Sequence, residues 1–183
     1  PLIEKQLAPR YKTALESFSL PTKMRVLDLA TGTGILAAAF ARRGHEVTGF
    51  DSSRTLLKRA TKQFDKIRFE RFDLAFLCEK ENDSFDIVAA GFFLHGISPE
   101  FRKDVLANMA RLATEYVVIF DYDRGGDWFV RLIEWFEGPH YKKYAALSRE
   151  SEFHAAGLEI ERSVPCTGFC HAWLCRPARR DPG

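Results

Sequence analysis

The chain has 183 residues, 46% of them apolar, and carries 27 basic against 25 acidic side chains. That apolar share suffices for a full core at this length, and the near balance of charge, with no basic run, argues against a dedicated nucleic-acid binder. No stretch is apolar for long enough to cross a membrane as a helix and no signal-peptide pattern opens the chain, so a soluble, cytoplasmic protein without membrane partners is expected.

In chain order, a helix is expected over 2–18, a strand over 25–29 with its helix over 34–43, and a strand over 45–50. A helix over 53–64 follows, with Ser52 or Ser53 as its N-cap, then a strand over 67–72. The run 85–91 is apolar after Asp86, as a strand covered on both faces should be. Pro99 opens a helix to Leu112 whose Val105, Leu106, Met109 and Leu112 form one stripe, and 115–120 reads as the fifth strand. Beyond it, Asp127 caps an aromatic helix with Trp128, Leu132, Trp135 and Phe136 on one stripe; a short helix over 148–157 and strands over 158–164 and 169–175 complete the chain. Strands alternating with helices imply parallel βαβ units in a doubly wound α/β fold. With no linker or composition break, one domain is expected over 1–183, with a cap helix at 1–20, a substrate-side segment at 122–146 and a solvated tail at 176–183.

The segment with the clearest chemistry is Asp28-Leu29-Ala30-Thr31-Gly32-Thr33-Gly34, which joins the first strand to its helix, while Asp51 ends the second strand. Glycines at such a turn let backbone approach a ligand, and the acid one strand over suits ribose hydroxyls. Gly32-x-Gly34-x-x-Ala37 also satisfies the dinucleotide fingerprint. Asp28 separates the two readings. A carboxylate there would repel a pyrophosphate, whereas it attracts the ammonium of an amino-acid arm.

With these residues the chain resembles the class I S-adenosylmethionine-dependent methyltransferases, whose first motif is an acid followed by alternating small residues. Ala30 stands where that family most often has glycine, and the resemblance continues through Phe50-Asp51, Phe72-Asp73 and Phe85-Asp86-Ile87-Val88. It implies a Rossmann-like, seven-stranded, mainly parallel sheet with an antiparallel C-terminal hairpin and helices on both faces. It also implies S-adenosyl-L-methionine as cofactor and S-adenosyl-L-homocysteine as product. By resemblance, Asp28, Ala30, Thr31, Gly32 and Gly34 hold the methionyl part, Asp51 the ribose, and Asp73 the adenine amine. Ser52, Phe72 and Leu74 then flank the adenine, Gly91 and Phe92 line the crevice, and Tyr11 covers the methionyl end.

Candidate bases on the acceptor side are His95, His140 and Tyr141, with Asp121 and Tyr122 as further wall residues. The segment Ala89-Ala90-Gly91-Phe92 lacks the Asn/Asp-Pro-Pro-Tyr/Phe clamp of methyltransferases that act on nucleobases or glutamine, and the double-acid loop of the arginine-specific kind is absent too. A small, apolar or aromatic metabolite accepting on oxygen or nitrogen is therefore expected as partner, in a monomer or homodimer. The alternatives are a methyltransferase acting on RNA or protein, and a cofactor-binding module without this activity. Four cysteines, Cys78, Cys166, Cys170 and Cys175, suit a reducing compartment as free thiols. Alternation sends Cys170 and Cys175 to opposite faces of their strand, so no metal site is expected.

Overall fold

The computed structural model describes residues 2–82, 84–122, 148–166 and 170–178. Seven strands form one sheet: β1 (Arg25–Leu29), β2 (Glu46–Asp51), β3 (Arg68–Arg71), β4 (Phe85–Gly91), β5 (Ala113–Tyr122), β6 (Leu158–Pro165) and β7 (Cys170–Pro177). Their order is β3-β2-β1-β4-β5-β7-β6. The first five are parallel, and β7 enters antiparallel between β5 and β6.

Alternation along each strand divides the core into two layers. Val26, Ile87, Ala89, Val118, Phe120, Ala172 and Leu174 face α1 (Leu2–Ser17) and α2 (Ile35–Ala41). Leu27, Leu29, Val88, Ala90, Val117, Ile119, Trp173 and Cys175 face α4 (Pro99–Leu112) and α5 (Arg149–Ala155). The remaining helix, α3 (Arg54–Gln63), packs beside β2 and β3. Apolar residues on both sides of the central strands require helices on both faces, which is the doubly wound arrangement the alternation of elements implied.

Helix starts follow local chemistry. The Ser53 hydroxyl accepts from the Leu56 amide, and the Ser98 hydroxyl accepts from Phe101 one residue ahead of Pro99. Most other ends shift by one or two residues, and two extensions and one added element stand out. β5 reaches Tyr122, because Asp121 and Tyr122 pair with His171 and Cys170. β7 runs on through Arg176 and Pro177, which pair with Glu159 and Leu158 and so belong to the sheet where a solvated tail is expected. The segment Leu74–Glu79, to which no element is assigned from sequence, is a 3-10 helix capped by Asp73. The aromatic helix and the 122–146 segment lie outside the described residues, Tyr122 excepted.

In this strand order the crossover between β3 and β4 reverses the direction of growth, and the carboxyl ends of β1 and β4 flank the crevice it leaves. Asp86 sits at the other end. There its carboxylate takes the Arg25 amide at 2.7 Å and the Arg25 guanidinium at 2.9 Å, fastening β4 to β1 away from the crevice.

Candidate active site

Five strands deliver Ala30–Gly34, Asp51, Asp73, Gly91-Phe92 and Asp121-Tyr122 to the same edge of the sheet. Asp28, one residue before the end of β1, is 1% exposed. Its Oδ2 accepts from the Thr31 hydroxyl at 2.6 Å and the Ala37 amide at 3.1 Å. Its Oδ1 is buried with no hydrogen-bond partner among the described residues. Burial pushes this carboxyl up to about 7, against the downward pull of those two hydrogen bonds, and the nearby Asp51 charge adds to the rise. A buried acceptor oxygen left without a donor among these residues is suited to receive one, ideally a cationic one.

Asp51 holds the loop from the neighbouring strand. Its two carboxylate oxygens accept from the Gly32 and Ser53 amides, each at 2.8 Å, and each oxygen keeps a second lone pair for a hydroxyl donor. Gly32 has a φ of +58°, and a side chain there would meet nothing nearer than the Ala30 carbonyl at 3.9 Å. Backbone is thus exposed to open space at this point of the turn. Ala30 adopts a φ of +51°, the left-handed region that the glycine more usual at this position enters without strain.

Two glycines answer to packing instead of ligand access. A Cβ on Gly34 would fall 2.7 Å from the Phe69 ring, and one on Gly49 would fall 2.7 Å from Phe69 and 2.8 Å from the Thr31 hydroxyl. Phe69 thus fills the space beside Gly34, and the expectation that the backbone of Gly34 holds the methionyl part of the cofactor concerns contacts other than this one. Thr31 likewise turns inward, its hydroxyl donating to Asp28 and its amide to the Phe50 carbonyl. Leu74 has its side chain buried in the core layer under α4, which leaves its backbone as the part able to flank a ligand. Asp73 is exposed, with one oxygen accepting from the Ala75 amide at 3.0 Å. Ser52 is exposed beside Asp51, and Phe72 stacks on Phe50 with centroids 4.7 Å apart.

On the far side of β4, Tyr11 of α1 lies edge-on to Phe120 at 4.7 Å and tilted against Phe92 at 6.1 Å. A Cβ on Gly91 would be 2.6 Å from the Tyr11 hydroxyl, so this glycine lets α1 seat on the sheet. Burial, then the charge of Asp28, holds the Tyr11 phenol well above its ordinary range and keeps it neutral. Phe92 contacts Tyr122 in turn, and Tyr122 stands edge-on to the His95 ring at 4.7 Å.

His95 lies in the 3-10 turn Leu94–Gly96 after β4, 7% exposed. Its Nδ1 is 2.6 Å from Asp121 Oδ1, and its amide donates to Asp121 Oδ2 at 3.2 Å. Asp121 is fully buried, so the pair forms a fixed acid–imidazole unit. His140 and Tyr141 lie outside the described residues.

Two contributors are not foreseen from sequence. Gly49 carried a usable signal, since a glycine inside a strand marks close approach by a neighbour. Arg102 carried none. It is wholly buried, and its Nη1 donates to the Leu94 and Ile97 carbonyls on either side of His95 while its Nε donates to Glu152 at 2.5 Å. A groove of about 880 Å³ between α1 and the end of α2, lined by Lys12, Leu20, Arg42 and His45 among others, opens at the opposite end of the sheet and includes none of the crevice residues. Among the described residues no cluster of three or more metal-ligating side chains occurs, and no helix is long and apolar enough to cross a membrane.

The fold, the crossover crevice and the acid-flanked turn define an α/β protein built to hold a nucleoside-type cofactor. Residues 26–115 match the methyltransferase domain family. The chain is 43% identical over 72 residues to a demethylmenaquinone methyltransferase of Chlorobaculum tepidum, a match covering 37% of this chain and 28% of that one. It is 34% identical over 102 residues to a ubiquinone biosynthesis O-methyltransferase of Hahella chejuensis, covering 54% and 42%. The chain therefore spans less than half the length of these relatives. In fold it is similar to the magnesium protoporphyrin IX methyltransferase of Synechocystis, solved with bound S-adenosylhomocysteine, at a TM-score of 0.71 and 16% identity, covering 95% of this chain and 84% of that one.

Over residues 26–115, just under half of its length, the chain carries a methyltransferase domain with the fold of S-adenosylmethionine-dependent enzymes, which points to S-adenosylmethionine as the cofactor. The residues present fit that molecule. The unsatisfied Asp28 oxygen suits its ammonium, Asp51 its ribose hydroxyls, and the bare backbone at Gly32 its close approach.

Proposed function

We propose that this chain moves a methyl group from S-adenosylmethionine to an oxygen or nitrogen of a small, apolar or aromatic metabolite, with His95 as general base. The observation that carries this reading is the buried contact between His95 and Asp121 beside Tyr122 and Phe92, at the strand ends next to those that hold the cofactor residues. The sulfonium supplies the leaving group and so the driving force of the transfer. What falls to the protein is orientation, exclusion of water and removal of the acceptor's proton.

Each task has residues. Asp28 and Asp51 anchor the two arms of the cofactor from adjacent strands, Asp73 and the Leu74 backbone receive the adenine, and Tyr11 covers the methionyl end. Phe92 and Tyr122 offer aromatic faces to an apolar acceptor. Asp121 takes the Nδ1 hydrogen of His95, which fixes the tautomer in which Nε2 is the basic atom, and its charge offsets the one gained when Nε2 takes a proton. His140 and Tyr141 belong to the acceptor side in the same reading. The names of the similar proteins support a small-molecule acceptor, since demethylmenaquinone and magnesium protoporphyrin IX are ring-bearing metabolites and not macromolecules.

The test offers the chain labelled S-adenosylmethionine with a panel of hydroxy- and amino-aromatic compounds, and separately with bulk RNA and protein. Label on a low-molecular-mass hydroxy- or amino-compound is the expected result. Transfer only to macromolecules would overturn the assignment.

A further inference from the structure

The hairpin that closes the sheet carries two thiols for which the proposed methyl transfer has no use. Pro165 stands opposite His171, and the ladder continues one step outward, where the Cys166 amide donates to the Cys170 carbonyl at 2.7 Å. Residues that face each other across antiparallel strands have Cβ atoms about 4.5–5.5 Å apart, and a disulfide needs roughly 3.5–4.5 Å. Closing a bond here asks for a shift of about an ångström near the end of a hairpin. Both side chains leave the strands toward α1 and share one buried cluster with Tyr11 and Ala14, whereas Cys175 faces the other layer.

The two thiols are not equivalent. Cys166 lines a cleft of about 170 Å³ between α1 and the end of β6, whose walls include Pro9, Arg10, Thr13 and Pro165. A hydrogen bond from Cys170, and then the nearby Arg10 charge, draws the Cys166 thiol below its ordinary value. Cys170 is 1% exposed, and its bond to Cys166 together with burial makes it hold its proton. One sulfur thus borders the cleft, 8% exposed, and is the readier to attack, while the other lies deeper.

We propose that Cys166 and Cys170 form a reversible dithiol–disulfide couple, a modification site at the end of the β6–β7 hairpin in which Cys166 reacts first and Cys170 resolves. The oxidant is a low-molecular-mass disulfide. The Cys166 thiolate attacks one of its sulfurs, the small molecule's S–S bond breaks, and the departing thiolate takes up a proton. Cys170 then loses its proton and attacks the Cys166 sulfur of the mixed disulfide, expelling the second small thiol. Two protein thiols are oxidised to one disulfide while one small disulfide is reduced to two thiols. A dithiol reductant reverses both steps.

The test incubates the full chain with oxidised glutathione, denatures it in alkylating reagent and maps the peptide that contains all three of these cysteines. The expected peptide has lost two hydrogens through a bond between Cys166 and Cys170, with Cys175 alkylated, and dithiothreitol restores three alkylatable thiols. Cys170→Ser should trap glutathione on Cys166, and Arg10→Gln should slow the first step by about threefold or more. The exposed Cys78 serves as internal control. If Cys166 and Cys170 are both still alkylatable once Cys78 has reacted fully, or if the bond formed runs to Cys175, the proposal is overturned. Because the wild-type peptide decides the outcome, a misfolded variant does not blunt the test.

Discussion

The cofactor end and the acceptor end of the crevice use the same side chain in opposite ways. At the ends of β1 and β2 the carboxylates of Asp28 and Asp51 grip backbone amides of Gly32, Ala37 and Ser53. At the end of β5 the carboxylate of Asp121 also takes backbone amides, those of His95 and Tyr122, but its shortest contact, at 2.6 Å, is to the imidazole of His95. Under the proposed function the first arrangement shapes the chain around a ligand, and the second sets a proton acceptor. An acid at a strand end therefore has no fixed role; what it bonds decides whether it builds or reacts.

The contrast is most exposed to refutation at the acceptor end. His95→Ala should leave the thermal stabilisation by S-adenosylhomocysteine intact and slow turnover by about 10²–10⁴-fold, the usual worth of a positioned base. Turnover within twofold of the parent would make this acid as structural as the other two.

At the cofactor end the expected effect is on stability. Asp28 has a folded value of about 7 against an ordinary 3.8, so between those values the folded chain keeps a proton that the unfolded chain releases. Stability without cofactor should therefore fall as pH rises through that window, by up to about 1.4 kcal/mol per pH unit, and level off above it. Asp28→Asn should flatten the slope in melting curves taken from pH 4 to 8. An unchanged slope would mean that the carboxyl is ionised throughout and already satisfied.

Between the two ends stands Gly91. Gly91→Ala should cost about 1–3 kcal/mol through overlap with Tyr11, and Tyr11→Phe in the same chain should recover part of it, because the hydroxyl is the nearest obstacle. Additive losses in chemical denaturation would show that α1 does not rest on this glycine. The smallest effect belongs to Ala30→Gly. Relief of the left-handed alanine, less the added freedom of the unfolded chain, should stabilise by about 0.5–1 kcal/mol. A loss of stability would show that the alanine methyl packs usefully where it is.

The acid-flanked turn and its strand ends were legible in the sequence because several of their contacts are local, the bond from Gly32 to Asp51 excepted. Thr31 reaches Asp28 three positions back, and Ser53 reaches Asp51 two positions back. The strands that carry them are runs of apolar residues whose alternation is written directly in the chain. The acceptor end depends on residues 26 positions apart, and no spacing rule pairs His95 with Asp121. Phe69 shows the same limit. Gly34 and Gly49 read as ligand turn and strand interior until one ring, delivered from β3, is seen to occupy both spaces. Arg102 was invisible for another reason: a charged residue on a helix is normally a surface residue, and its burial goes with bonds to the carbonyls beside His95 and to the carboxylate of Glu152.

The insertion of β7 between β5 and β6 bears on how the molecule comes to be made. During synthesis β6 emerges before β7, yet its seat in the sheet is a strand that does not yet exist. Until residues 170–177 have left the ribosome, β6 has no ladder to join and β5 presents a bare edge to whatever is nearby. A stop codon just ahead of Cys170 would therefore remove two strands while deleting only one.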